Sequence, residues 1–139
     1  MDPSDFRGAK IALICEGRLI AYQRDEKPEI PFPGMWDLPG GGREEDETPA
    51  ECAIRETREE FGISIDPSSI VWERYYPAKT PGAPGTYFHV AHLVEGFGDI
   101  VFGEEGQRFE IMSLQQFLAH PLVVDHLKDR LRHYLAETE

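Results

Sequence analysis

Residues 41–63 read GGREEDETPAECAIRETREEFGI, and the fold turns on this stretch. A glycine pair leads into a strong helix start. Thr48 is a good N-cap, Pro49 suits a first helical position that needs no backbone donor, and Glu51 completes a capping box. Gly62 is placed to end the helix in a left-handed conformation. With about 3.6 residues per turn, side chains at i, i+3 and i+4 share a face. Glu56, Glu59 and Glu60 therefore converge. Ala50, Ala53, Ile54, Thr57 and Phe61 fall on a different arc, suited to burial. Cys52, one turn before Glu56, is expected near the acidic face.

Clustered like charges destabilise a bare helix. A hard divalent cation relieves the repulsion, and carboxylates are the oxygen ligands it takes. The bland alternative is a solvated acidic surface helix. The glycines and the arginine at fixed offsets from the glutamates argue against it.

The segment resembles the Nudix box, G-x5-E-x7-R-E-U-x-E-E-x-G-U, where U is a bulky aliphatic residue. Gly41, Glu47, Arg55, Glu56, Glu59, Glu60, Gly62 and Ile63 match it, and Thr57 departs at the first U. Threonine still offers a methyl for packing. The resemblance implies an α/β fold, an α/β/α sandwich around a mixed β-sheet. The box helix would cover one face and the C-terminal helix the other. It also implies a single Nudix hydrolase domain over residues 1–139, with the box at 41–63.

Pieces outside the box are similar to MutT-type nucleoside triphosphate pyrophosphohydrolases. Pro39-Gly40-Gly41 matches the entry to the box, and Glu105-Gly106-Gln107 with Met112-Ser113-Leu114 resembles a loop that supplies a further acidic ligand. Arg24 ends the second strand, where such proteins carry a ligand-contacting arginine.

The resemblance implies a Mg²⁺ or Mn²⁺ cofactor. Glu56, Glu59 and Glu60 are the expected ligands, with the Gly40 carbonyl and Glu105 as further ones. Arg55 is expected to orient an acidic neighbour, Glu47 first, which is also what a purely structural ion pair would do. The base that takes the proton from water is Glu56 or Glu105, and Glu104 is adjacent and interchangeable in the alignment. The catalytic set is thus Glu56, Glu59, Glu105 and Arg55. For substrate contact the candidates are Arg24, Trp36 and His120, with Phe32, Tyr76 and Phe88 as other stacking rings and Asp125 as another polar reader. Most aromatic residues are core, so each ring taken singly is more often packing than recognition.

Composition fits a small soluble enzyme. The chain has 139 residues, a net charge of −12 and only 14 Lys and Arg against 26 Asp and Glu. Phosphate polymers are bound by neutralising them with Lys and Arg, so a nucleic-acid polymer is not expected as a partner. A small nucleotide substrate is compatible with the acidic face once a metal bridges carboxylate to phosphate. No apolar run approaches a membrane span, and MDPSDFRGAK lacks an apolar signal region. The expected setting is the cytoplasm, without a membrane. Cys15 and Cys52 form neither a disulfide framework nor a CxxC pair and read as small buried residues. A homodimer is left open.

Ala9–Cys15 and Arg18–Gln23 read as a β-hairpin around Glu16-Gly17. Arg24–Pro39 reads as a proline-rich loop with a short extended piece at Trp36–Leu38. Ile70–Tyr76 and Thr86–Val94 read as strands, and so does Arg108–Met112. In the second of these, His89 and His92 face opposite sides, which is not metal-site spacing. Ser113 caps a short helix through Phe117 with Gln116 completing a capping box, and Pro121 is expected to start a last helix with Leu122, Val123, Leu127, Leu131 and Leu135 on one stripe.

The function implied is Mg²⁺-dependent hydrolysis of a nucleoside diphosphate linked to another group. The most similar type is a MutT-like triphosphate pyrophosphohydrolase that releases a monophosphate and pyrophosphate, with oxidised purine nucleotides among its candidate substrates. One alternative is an ADP-ribose or nucleotide-sugar pyrophosphatase, for which Pro77 lies near a proline position. Another is a non-catalytic nucleotide-sensing Nudix module. Such modules lose box carboxylates, which this chain keeps.

Overall fold

A computed structural model describes residues 4–138. The strands are β1 (Phe6–Cys15), β2 (Arg18–Gln23), β3 (Trp36–Asp37), β4 (Gly40–Gly42), β5 (Ile70–Tyr76), β6 (Gly85–His92) and β7 (Arg108–Ser113). The helices are α1 (Pro49–Phe61), α2 (Leu114–Ala119) and α3 (Asp125–Thr138), with a 3-10 turn at Pro67–Ser69.

The strands form one mixed sheet in the order β3-β2-β1-β6-β5. β1 runs parallel to β6, and β5 is antiparallel to β6. The β1–β2 hairpin is joined only at its tip, at Ile14–Leu19 and Cys15–Arg18. Beyond the tip the strands part. β4 pairs with the start of β1 at Gly8–Lys10, while β2 takes β7 on one side and β3 on the other. Gly8 permits the close approach of β4: a Cβ there would meet the Gly41 carbonyl oxygen at 2.4 Å.

Side chains alternate across a strand, and β1 shows the consequence. Ala9, Ile11 and Leu13 join Cys52, Ala53 and Phe61 of α1 in one core. Ala12 and Ile14 join Phe117 of α2 and Leu127, Leu131 and Tyr134 of α3 in the other. Helices thus cover both faces of the sheet, and the fold is the expected α/β sandwich.

α1 has the expected caps. Thr48 and Glu51 form the reciprocal capping box, and Gly62 has φ +68° with its N–H donated to the Arg58 carbonyl. Thr57 is fully buried, and its hydroxyl donates to the Ala53 carbonyl at 2.8 Å, so the departure from the box is internally satisfied. Ala50 and Ile54 are only partly buried. Cys15 and Cys52 are both buried free thiols.

Several boundaries differ from expectation. β1 begins at Phe6, β6 ends at His92, and α2 runs on to Ala119. α3 begins at Asp125, not Pro121. Residues 121–124 are instead drawn into an extended contact with β3. Trp36 N–H donates to the Leu122 carbonyl at 2.7 Å, and Val124 N–H donates to the Trp36 carbonyl at 3.1 Å. Leu122 consequently leaves the buried stripe and is 51% exposed. Among the described residues no helix is long and apolar enough to cross a membrane.

Candidate active site

The turn between β3 and α1 sets the acidic helix against a glycine strand. Glu60 is buried, and its Oε1 accepts the Gly40 N–H at 2.9 Å. Gly41 lies against Glu56: a Cβ on it would meet the carboxylate atoms at 2.6–2.8 Å. Gly40 has φ +134°, and a Cβ there would strike the Ala9 carbonyl oxygen at 2.2 Å, so this path is reserved for glycine.

Arg55 organises the rest of the patch. Its Nε donates to Glu47 Oε2 at 2.6 Å and Nη2 to Glu47 Oε1 at 3.1 Å, the fork-on-carboxylate geometry of a strong pair. Nη2 also donates to the Gly42 carbonyl at 2.8 Å. Nη1 reaches Glu56 at 3.2 Å, Glu59 at 2.9 Å and Glu44 at 3.2 Å. The bond from Arg55 holds Glu47 below the usual carboxylate range. Part of the repulsion among the helix glutamates is therefore relieved from within the chain.

The relief is incomplete. Burial, with Glu59 and Glu105 nearby, raises Glu56 above the usual carboxylate range despite Arg55. Burial pushes Glu60 up to about 8, with Glu56 and Asp37 adding to it and Lys10 opposing it. Carboxylates withdrawn from water and short of positive charge are a donor set that fits a hard divalent cation. Among the described residues, no three acidic, histidine or cysteine side chains are gathered in ligating geometry. The Gly40 carbonyl accepts a bond from Lys10 Nζ at 3.3 Å.

Glu105 is exposed on the loop after β6, and its charge is felt at Glu56. Two bonds tie this loop to the end of α1, Gly103 N–H to the Glu60 carbonyl at 2.8 Å and Val101 N–H to the Phe61 carbonyl at 2.9 Å. Phe102 packs on Phe61, Phe109 and Tyr22 with ring centroids 5.6–6.4 Å apart. Glu104 is also exposed.

The expected substrate residues are dispersed. Arg24 Nη1 donates to Asp37 Oδ2 at 2.7 Å and its Nε to the Pro31 carbonyl at 2.9 Å, so much of its guanidinium is committed. It nevertheless lines a cavity of about 310 Å³ together with Glu105, Tyr22 and Lys27. Trp36 is 3% exposed and belongs to the core under Arg108 and His120, so stacking on a base is corrected to packing. Phe88 is likewise fully buried. His120 ends α2, and its Nδ1 accepts the Leu122 N–H at 3.0 Å. His89 is buried against Glu73, and His92 bonds the Tyr134 hydroxyl.

A larger cavity of about 530 Å³ lies on the other side of the glycine strand, lined by Gly41 and Gly42, by Tyr76 and Lys79, and by His126 and Arg130 of α3. Sequence reading named Tyr76 and Gly41 but missed Lys79, His126 and Arg130, and it missed Lys10 and Asp37. Lys10 Nζ bonds Asp37 Oδ2 at 3.0 Å and the Leu38 carbonyl at 3.2 Å. The available signal was a charged side chain beside the apolar run of β1 and beside Trp36. On α3 it was the i, i+4 pair His126 and Arg130.

The NUDIX domain model matches residues 6–133. The chain belongs to the Nudix family. Two relatives are an RNA pyrophosphohydrolase of Erythrobacter litoralis (strain HTCC2594) and an 8-oxo-dGTP diphosphatase of Proteus vulgaris. The first is 36% identical over 64 residues, 46% of this chain and 37% of the relative. The second is 40% identical over 53 residues, 38% of this chain and 47% of the relative. The matched segments span less than half of either relative's length. The crystal structure of a MutT protein from Methanosarcina mazei Go1 superposes with a TM-score of 0.74 at 22% identity, covering 100% of this chain and 99% of that one. The chain thus shares its fold with that MutT protein along its whole length.

Proposed function

We propose that this Nudix hydrolase is a Mg²⁺- or Mn²⁺-dependent nucleoside triphosphate pyrophosphohydrolase, forming a nucleoside monophosphate and pyrophosphate, with oxidised purine nucleotides among its substrates. The observation that carries this reading is a glycine strand with Glu56 against Gly41 and a nucleoside-sized cavity lined by Gly41 and Gly42. A ligand whose phosphates lie at the glutamates and whose nucleoside crosses the glycines fills both places. The oxidised purine follows the relative named an 8-oxo-dGTP diphosphatase.

Glu56, Glu59 and Glu60 would hold the metal, with the Gly40 carbonyl and Glu105 completing the donor set. A divalent ion there supplies charge neutralisation on the phosphates and acidity to a bound water. Arg55 keeps Glu56 and Glu59 in place through its fork on Glu47. Glu105 accepts the proton from the attacking water, as an exposed carboxylate whose charge reaches Glu56. Arg24 borders the phosphate end from the smaller cavity, whereas His120 lines neither cavity. The test is product-resolved hydrolysis of nucleoside triphosphates with and without metal. Monophosphate plus pyrophosphate supports the reading, and a different product pair opposes it.

A further inference from the structure

The cavity beyond the glycine strand is cationic in a chain of net charge −12. Arg130 is its centre. The guanidinium lies over the Tyr76 ring at 4.4 Å, and Nη1 donates to the Thr86 hydroxyl at 3.2 Å. Among the described residues its only polar bond is to that hydroxyl, and no carboxylate pairs with it. Loss of hydration holds it below the ordinary arginine value, opposed only by Tyr76. His126, one turn earlier on α3, is lowered by loss of hydration and by the charges of Arg130, Lys10 and Lys79. Each of these bases works against a charge on His126, and Asp37 favours it.

A half-buried arginine without an acidic partner, among other bases, is an arrangement that costs free energy in the empty protein. A neutral base stacked in the cavity would leave that cost in place. A phosphate would offset it, and arginine's planar fork suits phosphate oxygens. About 530 Å³ accommodates a nucleoside together with such a group.

We propose that this cavity binds a second phosphate carried on the ribose of the nucleotide, separate from the phosphates at the acidic face, with Arg130 as its principal contact and Lys79 and His126 flanking it. This rests on the nucleotide reading above and narrows it to nucleotides phosphorylated at both ends of the sugar. The phosphate is either a monoester or the diester that leads to a following nucleotide.

Calorimetric titration with AMP, adenosine 2′,5′-bisphosphate, adenosine 3′,5′-bisphosphate and the 5′-phosphorylated dinucleotide of adenosine tests this in Mg²⁺. None of these ligands contains an anhydride, so binding is read without turnover. One bisphosphate is expected to bind at least about tenfold more tightly than AMP, the scale of a hydrogen bond between charged groups. Arg130→Gln should bring that ratio close to one. Lys79→Gln, on an exposed loop, should reduce it severalfold and guards against a folding defect in the first variant. A dinucleotide that matches the better bisphosphate assigns the group to a diester, and one that binds like AMP assigns it to a monoester. Bisphosphates that bind no better than AMP overturn the proposal, as does a ratio that survives both substitutions. GMP is the base control. If Arg130→Gln alters the GMP to AMP ratio and leaves the phosphate ratio intact, Arg130 reads a base and the proposal falls. Triphosphates left uncleaved by a protein that still prefers a bisphosphate would refute the proposed reaction alone.

Discussion

Glu59 and Glu60 are adjacent in the chain and opposite in environment. The Glu59 side chain is 55% exposed and pairs with Arg55, whereas Glu60 is 7% exposed and bonded to the Gly40 N–H. Replacing either by Gln keeps the shape and removes a carboxylate that could ligate the metal. In Glu60→Gln the amide oxygen still accepts from Gly40, so the glycine strand stays in place. An exposed pair such as Arg55–Glu59 contributes only about 0–1 kcal/mol, so Glu59→Gln should melt close to the parent. Each variant is expected to lower the rate on the order of a hundredfold, the scale of losing a key electrostatic contact. Well-folded variants with near-parental rates and metal affinity would contradict the assignment.

Asp37 couples stability to pH. Burial works against its charge, but Lys10, Arg24 and the Leu38 N–H hold the carboxyl below the usual range. An unfolded chain takes up the proton first as pH falls below about 4. The stability that Asp37 contributes is therefore complete above that pH and is lost as pH falls through the lower folded value. Asp37→Asn should be less stable at neutral pH by on the order of 3 kcal/mol, because it strands two cations. Urea midpoints measured from pH 7 to pH 2.5 should show that gap narrowing below about pH 4. A gap independent of pH would rule the linkage out.

At the scale of elements, the loop at 101–107 is a functional part fixed by packing. Its phenylalanine Phe102 is clamped among Phe61, Phe109 and Tyr22, and two backbone bonds join it to α1. Gly106 has φ +88°, and a Cβ there would meet Tyr22 at 2.8 Å, so the turn after Glu105 is also constrained. Glu105→Gln is expected to lower kcat more than it raises KM, because its proposed work is on water or metal and not on the base. Glu104→Gln should do less. Steady-state kinetics with the two effects reversed would shift the loop assignment by one residue.

α1 was legible because its caps, its buried arc and its acidic face are all local signals. The capping boxes at Thr48 and Ser113 formed as the spacing predicts. The start of α3 was not legible. Pro121 is a good first helical residue, but β3 captures residues 122–124 through Trp36, a partner far away in sequence. The same long-range contact buries Trp36, so a ring that reads as a stacking candidate is packing. Arg24 shows the limit for charged groups, since its tie to Asp37 depends on how β2 meets β3. The cationic cavity is assembled from β1, the β5–β6 loop and α3, which no single window of sequence contains.

Over the whole molecule, charge is sorted about the glycine strand. The box glutamates lie on the α1 side, and Lys79, His126 and Arg130 line the cavity on the other. The sandwich makes this possible, because the split of β1 from β2 lets β4 enter beside β1 and hold Gly41 between the two regions. A nucleotide spanning that strand meets a metal-assisted site at one end and bases at the other. The proposed reaction is defined by the bond it breaks. The direct measurement is product analysis over nucleoside triphosphates, 8-oxo-purine forms among them, beside ADP-ribose and nucleotide sugars, each with Mg²⁺ and with chelator. The expected result is a nucleoside monophosphate and pyrophosphate from a triphosphate, abolished by chelator. AMP and ribose 5-phosphate from ADP-ribose, at much higher kcat/KM than any triphosphate, would contradict it.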